Sequence, residues 1–421
     1  FFLFIYWVEE IDFVMQTLDI SNEMITKLLL HECQAPTIEL SEDPWLYHNY
    51  RLLTEIASRT GIEAIQKMAR LIDDEEVFSQ HVFTADHDDV NVIEWAIRRQ
   101  KTNTIKYLLS LKAVKVRYLY TDQDSMDLLW RTVFWLFVAD DIPEETIDFV
   151  MKTLEISKDK MTKLLSHQCQ APTIELAEDC VKYHNCRLLT EIAAGNTVEA
   201  LQKMASIIDD EAVFSQHVFI ANASNMNVIE RVIAMQKEET IQYLSSLKAV
   251  KARYFAQDGI EWVWRTVFWL FGSPGISEET IDFVLKELEI SGEKLAGLLS
   301  HKCRAPDTKL ADEAVEYHRH SILGRATWLG TPEALRKLAE IIGEKTFVEH
   351  IFDESDRNMN CIEFGILRQD VELMQYLLSF DGIKEKCVTD KDVMFRIVYW
   401  LYRAYDKSMS LYVIGTLGLD E

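Results

Sequence analysis

The stretch LLTEIAAGNTVEALQKMASIID, residues 188–209, has the pattern of two short amphipathic helices joined by a tight turn. Apolar residues recur at spacings of three and four on both sides of the turn, which is the spacing of one helix face. Gly195-Asn196 in the turn supplies the left-handed backbone that ends many helices. The stretch therefore predicts a helical hairpin. Its apolar positions are Leu189, Ile192 and Ala193, then Val198, Leu201, Ala205 and Ile208.

This hairpin belongs to a long repeat of 134–136 residues that runs through the chain. IDFV at residues 11–14 returns at 147–150 and at 281–284. TKLLLHECQAPTIEL at residues 26–40 returns at 162–176 with 13 of 15 residues unchanged. A fixed period of this kind is typical of repeat proteins. We therefore divide the chain into a first long repeat (1–124), a second (125–258), a third (259–389) and a partial fourth (390–421).

Each long repeat contains three such hairpins. In the first hairpin, WRTVFWLF at residues 264–271 pairs with the segment that begins at Glu278. Examples of the second and third hairpins are residues 188–209 and residues 227–247. The 14 Gly and 7 Pro residues are few, so most of the backbone is expected to be regular. Because one hairpin can bury its apolar side only against its neighbours, we predict an all-α fold, an α-solenoid of stacked helical hairpins.

The hairpin pattern resembles the ankyrin repeat, whose helix–turn–helix reads roughly L-x-x-A-x-x-G-x-x-E-x-v-x-x-L-L. Similar signals occur at residues 189–205, 229–244 and 362–378. The Thr-Pro-Leu-His helix start of that family is missing, and the spacers are longer than ankyrin linkers. The resemblance implies a non-enzymatic protein that binds other proteins. HEAT-like or armadillo-like helix pairs are the alternative.

The charge balance excludes several classes of partner. The chain has 44 basic and 69 acidic residues, a formal net charge of −25. Binding phosphates requires clustered Lys and Arg, and the sequence has no such cluster, so we expect no nucleic-acid binding. The apolar tract at residues 1–7 is too short to span a bilayer, so we expect no membrane insertion. Seven dispersed cysteines indicate a reducing compartment, which predicts a cytoplasmic protein.

Catalytic motifs are missing from the sequence. It contains no GxSxG, P-loop, GxGxxG or HExxH pattern, and no Ser, His or Cys stands apart from its repeated context. We therefore expect neither enzymatic activity nor a cofactor.

A repeated His-x-Cys pair, followed by a second His seventeen residues after the first, is the strongest candidate for a metal site. Imidazole and thiolate are good zinc ligands, but a closed structural site takes four ligands and each copy supplies three. We therefore favour a structural interpretation, a histidine at a helix end and a small buried thiol that were copied with the repeat. The candidate ligands are His31, Cys33, His48, His167, Cys169, His184, His301, Cys303 and His318.

Three Arg/Trp pairs, four residues apart on an apolar helix, are the candidate partner-binding residues. A guanidinium over an indole is favourable by about 0.5–1 kcal/mol when exposed. As a binding device the arginines would grip an acidic partner. As a structural device, which we favour, they would satisfy carbonyl groups between stacked helices. The pairs are Arg131/Trp135, Arg265/Trp269 and Arg396/Trp400.

Together these patterns predict a scaffold that binds a protein partner along a continuous repeat surface. The alternative is a structural subunit that assembles end to end into a filament or larger complex. It is motivated by the lack of a polar capping repeat at either end, because uncapped ends favour self-association.

Overall fold

The structure is a computed structural model of the 421-residue chain. It describes residues 21–30, 52–59, 61–86, 89–120, 122–139, 142–169, 186–195, 198–222, 225–257, 259–301, 321–354, 358–403 and 407–418. Within these ranges the backbone is helical apart from turns and one short strand pair, so the predicted all-α class is confirmed. The chain divides into two compact units, Phe1–Asp209 and Asp210–Glu421.

The first unit contains twelve helices in its described part. These are α1 (Asn22–Leu30), α2 (Leu52–Arg59), α3 (Ile62–Ile72), α4 (Glu75–Phe83), α5 (Val92–Arg98), α6 (Thr102–Ser110), α7 (Lys112–Leu119), α8 (Gln123–Val138), α9 (Glu144–Thr153), α10 (Lys158–Ser166), α11 (Leu188–Gly195) and α12 (Val198–Ile208). Two-residue strands β1 (Gln168–Cys169) and β2 (Cys186–Arg187) pair antiparallel, with Cys169 opposite Cys186.

In the first unit, helices three apart along the chain pack against each other. The helices α2, α5, α8 and α11 form one row, α3, α6 and α9 form a second, and α4 packs against α7. The repeating element is therefore a hairpin followed by a third helix, as in α5, α6 and α7. This third helix was not part of the predicted pairs.

The row α2–α5–α8–α11 carries much of the unit's core. Burying a large apolar side chain contributes about 1.5–3 kcal/mol, and many of them converge on this row. Fully or almost fully buried examples are Ile56, Ala57, Ile93, Ala96, Ile97, Trp130, Val133, Phe137, Leu189 and Ile192.

The second unit continues the same pattern. Its helices are α13 (Glu211–Val218), α14 (Val228–Ala234), α15 (Glu238–Ser246), α16 (Lys248–Tyr254), α17 (Gly259–Gly272), α18 (Glu278–Glu287), α19 (Gly292–Leu299), α20 (Ile322–Leu329), α21 (Pro332–Ile342), α22 (Glu344–His350), α23 (Cys361–Arg368), α24 (Val371–Leu377), α25 (Asp381–Thr389), α26 (Lys391–Arg403) and α27 (Lys407–Leu417). The helices α14, α17, α20, α23 and α26 form one row, and α13 packs against α16.

Helices occupy the segments of all three predicted hairpins, and the two helices of the second and of the third hairpin pack against each other. Residues 188–209 form α11 and α12, residues 227–247 form α14 and α15, and the segment that contains WRTVFWLF forms α17 and α18. Their stacking as an α-solenoid stays a prediction. Every helix in the described ranges falls short of the length or the apolar character that a membrane crossing requires.

Glycine permits a close approach between two row helices of the second unit. Gly330 follows the last residue of α20 and lies against the C-terminal end of α17. A Cβ atom at Gly330 would lie 2.5 Å from the Phe271 carbonyl oxygen and 2.4 Å from the Ala326 carbonyl oxygen. The Arg368 guanidinium donates to the Gly330 carbonyl oxygen over 2.6 Å. A side chain at position 330 would force these backbones apart.

Candidate functional site

Three row helices begin with the same hydrogen-bonded pair of side chains. At the N-terminus of α5, Asn91 Oδ1 accepts from the Glu94 backbone N–H over 3.0 Å, and Glu94 Oε2 accepts from the Asn91 N–H over 3.0 Å. This reciprocal pattern is a capping box, which satisfies two otherwise unpaired N–H groups. The other two boxes are Asn227/Glu230 at α14 and Asn360/Glu363 at α23.

Each capping glutamate also binds an arginine from the next row helix. Arg131 on α8 donates from Nε and Nη2 to the two carboxylate oxygens of Glu94, both over 2.8 Å. Arg265 on α17 binds Glu230 in the same way, over 2.6 and 2.7 Å. Such bidentate pairs combine charge with fixed geometry. We call each set of one capping Asn, one Glu and one Arg an arginine cluster.

The third arginine cluster is more open than the other two. Arg396 on α26 binds Glu363 through Nε and Nη2 over 2.5 and 2.6 Å, and it also contacts Glu354. Its side chain is 30% exposed, whereas that of Arg265 is 4% exposed. Hydrogen bonding to Glu363 raises the pKa of Arg396 further above its ordinary value, so the group is charged at every accessible pH.

A strained loop residue completes each arginine cluster. Asp89, Asn225 and Asn358 have φ values of 55°, 56° and 53°, a left-handed conformation that Asn and Asp tolerate better than most residues. The carbonyl oxygen of each accepts from the arginine of its cluster, over 2.6 Å in the case of Asn225. The arginine thus joins a loop and two row helices.

The structure places Arg131 and Arg265 inside the protein, where they are 9% and 4% exposed. Both guanidinium groups bind protein carboxylate and carbonyl oxygens, which is the chemistry of a packing device. Arg396 has more contact with solvent. Recognition of an acidic partner by any of the three arginines stays a prediction.

Two tryptophans of the Arg/Trp pairs receive guanidinium groups from neighbouring helices. The Arg98 guanidinium lies 4.6 Å from the Trp135 ring centroid, and that of Arg325 lies 4.6 Å from the Trp269 centroid. Trp135 and Trp269 are each 7% exposed. Trp400 packs edge-on against Tyr399, with ring centroids 5.4 Å apart. The first two tryptophans therefore take part in contacts between row helices.

The predicted metal ligands are only partly within the described residues. His167 Nε2 lies 2.5 Å from Asp127 Oδ1, and Cys169 is buried in β1. His301 follows the last turn of α19. The remaining candidates, His31, Cys33, His48, His184, Cys303 and His318, lie outside the described residues. Within the part of the chain that the structure describes, no three His, Cys, Asp or Glu side chains are grouped to hold a metal ion.

A buried tyrosine–threonine hydrogen bond occurs at two places along the chain and is replaced at a third. Tyr118 pairs with Thr132 over 3.0 Å, and Tyr254 pairs with Thr266 over 2.7 Å. At the corresponding positions further along the chain, Cys387 and Ile397 are both fully buried. Burial raises the pKa of the Cys387 thiol to about 12. The tyrosine and the threonine are therefore both replaced, by Cys387 and Ile397, so that no polar group is left without its partner.

The second unit has an open apolar groove between α13, α16 and the start of α17. Its volume is about 600 Å³, and its lining includes Phe219 and Trp262. Three alanines also line it, Ala212, Ala252 and Ala256. The corresponding residues are Glu76, Val116 and Tyr120 in the first long repeat and Lys345, Glu385 and Thr389 in the third. The second long repeat therefore has the smaller side chain at each of these positions.

The row helix α26 carries an exposed apolar stripe. Phe395, Val398, Tyr399 and Tyr402 are 70%, 48%, 43% and 90% exposed. Their spacing of i, i+3, i+4 and i+7 places them on one helix face. We call these four residues the α26 stripe.

The capping glutamates Glu94, Glu230 and Glu363 are the important residues that the sequence analysis missed. A signal was present, because Asn-x-x-Glu recurs before an apolar run at residues 91–94, 227–230 and 360–363. In all three places an arginine follows on the next apolar helix, and an acidic residue that recurs together with such an arginine indicates a buried ion pair.

The chain matches no protein-family model and no curated protein sequence.

Proposed function

We propose that the chain is a non-enzymatic protein–protein interaction scaffold built from ankyrin-like helical repeats that stack as an α-solenoid in the cytoplasm. The groove between α13 and α16 is the observation that supports this proposal most directly. Apolar concave surfaces with a few polar groups at the edge are the usual form of a binding site. Here the groove arises from three small residues that neither of the other long repeats has.

The chemistry of the groove indicates what part of a partner would bind there. The three alanines leave space for a bulky apolar side chain, which could pack against Phe219 and Trp262. Gln216 at the edge is exposed and can bond the partner's backbone. A single buried anchor of this kind often supplies most of the binding energy at a protein interface.

The proposal can be tested by selecting peptides from a displayed library against the whole chain. In the groove-filled variant, Ala212→Glu with Ala256→Tyr, residues of the first long repeat occupy the groove. We expect selected peptides to bind this variant at least about tenfold more weakly, the equivalent of 1.4 kcal/mol. The matched control is Glu76→Ala with Tyr120→Ala, which alters the corresponding positions of the first unit and should leave binding unchanged. Failure to enrich any peptide, or equal binding to all variants, would contradict the proposal.

A structural subunit that assembles end to end is the alternative function. The exposed α26 stripe favours it, because an apolar helix face can receive another element. Sedimentation that reveals an open-ended series of species, growing with concentration, would support this alternative.

A further inference from the structure

We infer that Cys169 and Cys186 are a redox modification site, a pair of thiols that forms a reversible disulfide. The two cysteines lie directly opposite each other where strand β1 pairs with strand β2. A bond between them would join the C-terminal end of α10 to the N-terminal end of α11. The inference goes beyond the scaffold proposal and uses no residue of the groove, so either can fail without the other.

The backbone register brings the two cysteines to the separation that a disulfide requires. In an antiparallel pair, the Cα atoms of opposite residues are about 5.5 Å apart where the residues exchange hydrogen bonds and about 4.5 Å apart where they do not. A disulfide spans Cα–Cα distances of about 4.4–6.8 Å. Both kinds of pair fall within this range, so neither strand has to shift for the bond to form.

Of the three long repeats, the second alone has a cysteine at both positions. The corresponding residues are Cys33 and Tyr50 in the first long repeat and Cys303 and His320 in the third. The first cysteine of the pair therefore recurs with the repeat, whereas Cys186 belongs to one copy. The pair of opposed thiols is a local feature of the second long repeat and did not arise by copying.

Contacts on both sides of the strand pair hold it in place. His167, which precedes β1, has its Nε2 atom 2.5 Å from Asp127 Oδ1 on α8, and β1 itself packs against α8. Arg187 in β2 donates to the Ser166 carbonyl oxygen at the end of α10 over 2.5 Å. The two strands are thus positioned before any bond forms, which lowers the entropic cost of bringing the thiols together.

Thiol–disulfide exchange with a small disulfide, such as oxidised glutathione, supplies the chemistry. One cysteine thiolate attacks a sulfur of the oxidant, so a mixed disulfide forms and one reduced glutathione leaves. The second cysteine thiolate attacks the protein sulfur of the mixed disulfide, which forms the Cys169–Cys186 bond and releases a second reduced glutathione. Two electrons pass from the protein to the oxidant, and the two thiol protons end on glutathione.

The fully buried position of Cys169 makes the exchange depend on opening of the strand pair. An isolated pair of short strands is marginally stable, and such an element opens without global unfolding. The buried thiol reacts in the open form, and the disulfide then fixes the closed form. In a reducing compartment a bond of this kind is transient, and it forms when the ratio of oxidised to reduced glutathione rises.

Peptide mapping of the full chain after treatment with oxidised glutathione tests the inference. Free thiols are then alkylated, and the chain is digested with trypsin without reduction. Trypsin cleaves after residues 163, 182 and 187, which places Cys169 and Cys186 on separate peptides. We expect a disulfide between these two peptides, and treatment with dithiothreitol should remove it.

Variants assign the bond, because Cys180 lies on the same tryptic peptide as Cys169. In the matched control Cys180→Ser the linked peptides should form as in the native chain, and in Cys169→Ser they should be lost. A link that survives Cys169→Ser would overturn the inference. So would recovery of Cys169 and Cys186 from the native chain as alkylated thiols or as separate glutathione adducts.

Thermal unfolding measures whether the bond joins the two helix ends. A cross-link lowers the entropy of the unfolded chain, so we expect oxidation to raise the melting temperature of the native chain by a few degrees. Cys186→Tyr, which introduces the residue of the first long repeat, should melt at the same temperature with and without the oxidant. An unchanged melting temperature of the native chain, or an equal rise in Cys186→Tyr, would contradict a link between α10 and α11.

Discussion

At the scale of single residues, the capping glutamates have two roles in one position. Glu230 closes the N-terminus of α14 and neutralises Arg265 on α17, and it is fully buried. A buried ion pair does not by itself stabilise a protein, because both charges lose their hydration. Removing one partner is nevertheless costly, since the other charge stays buried. We therefore expect the arginine clusters to act mainly by fixing which helices pack together.

Replacing Glu230 tests this view of the arginine cluster. We expect Glu230→Ala to lower the free energy of unfolding by about 3–5 kcal/mol, because Arg265 loses its bidentate carboxylate. Glu363→Ala should cost less, since the Arg396 side chain already reaches solvent and also contacts Glu354. Urea denaturation followed by tryptophan fluorescence measures both. Equal losses, or full stability in Glu230→Ala, would show that burial of the arginine does not set the cost.

The buried tyrosines predict a loss of stability at alkaline pH. Burial raises the pKa of Tyr118 and of Tyr254 well above the ordinary value of 10.0. Above about pH 10 the unfolded chain loses these protons while the folded chain keeps them, so each tyrosine lowers stability by about 1.4 kcal/mol per pH unit. Below pH 10 no such loss occurs. Urea denaturation between about pH 8 and 11 should give a smaller decline for Tyr118→Phe with Tyr254→Phe, and an unchanged slope would refute this.

At the scale of helices, the hairpins could be predicted and the third helix could not. Residues 188–209 show a helical period on both sides of their turn, because α11 is largely buried and α12 buries Leu201, Met204 and Ile208 on one face. The third helix α7 buries only Val114 and Tyr118, and its lysines and arginine obscure the pattern. The partner of Arg131 was also out of reach, since periodicity gives the buried face of a helix and not the helix that covers it.

Gly330 provides a test of how closely the row helices α17 and α20 approach. We expect Gly330→Ala to lower the free energy of unfolding by about 1–3 kcal/mol, because the new Cβ would meet two carbonyl oxygens. The matched control is Gly415→Ala in α27, where no atom lies within 4 Å of the new Cβ and stability should rise by up to about 1 kcal/mol. Thermal unfolding followed by circular dichroism measures both. Equal effects of the two changes would argue against the close approach.

At the scale of the whole molecule, an excess of negative charge opposes folding. The ion pairs of the arginine clusters, by contrast, are largely shielded from dissolved salt. The net charge of −25 destabilises a compact state through self-repulsion. Salt screens exposed charges much more than buried ones, so it weakens this repulsion and leaves the arginine clusters nearly unaffected.

The expected result is a melting temperature that rises with salt. Raising NaCl from about 20 to 500 mM should increase it by a few degrees, since screening acts on the acidic surface. Differential scanning calorimetry measures the change, with Glu230→Ala as a comparison that should show a similar increase. A melting temperature that falls with salt would mean that exposed ion pairs dominate stability.

The coupled change of Tyr254 and Thr266 to Cys387 and Ile397 restricts how this gene can recombine. Recombination between the copy with tyrosine and threonine and the copy with cysteine and isoleucine, with a breakpoint between these two codons, would yield a hybrid with a tyrosine hydroxyl facing isoleucine. Such a hybrid would bury an unsatisfied hydroxyl at a cost of about 1–3 kcal/mol. Anyone lengthening or shortening the array should therefore place the junctions outside the segment from α16 to α17.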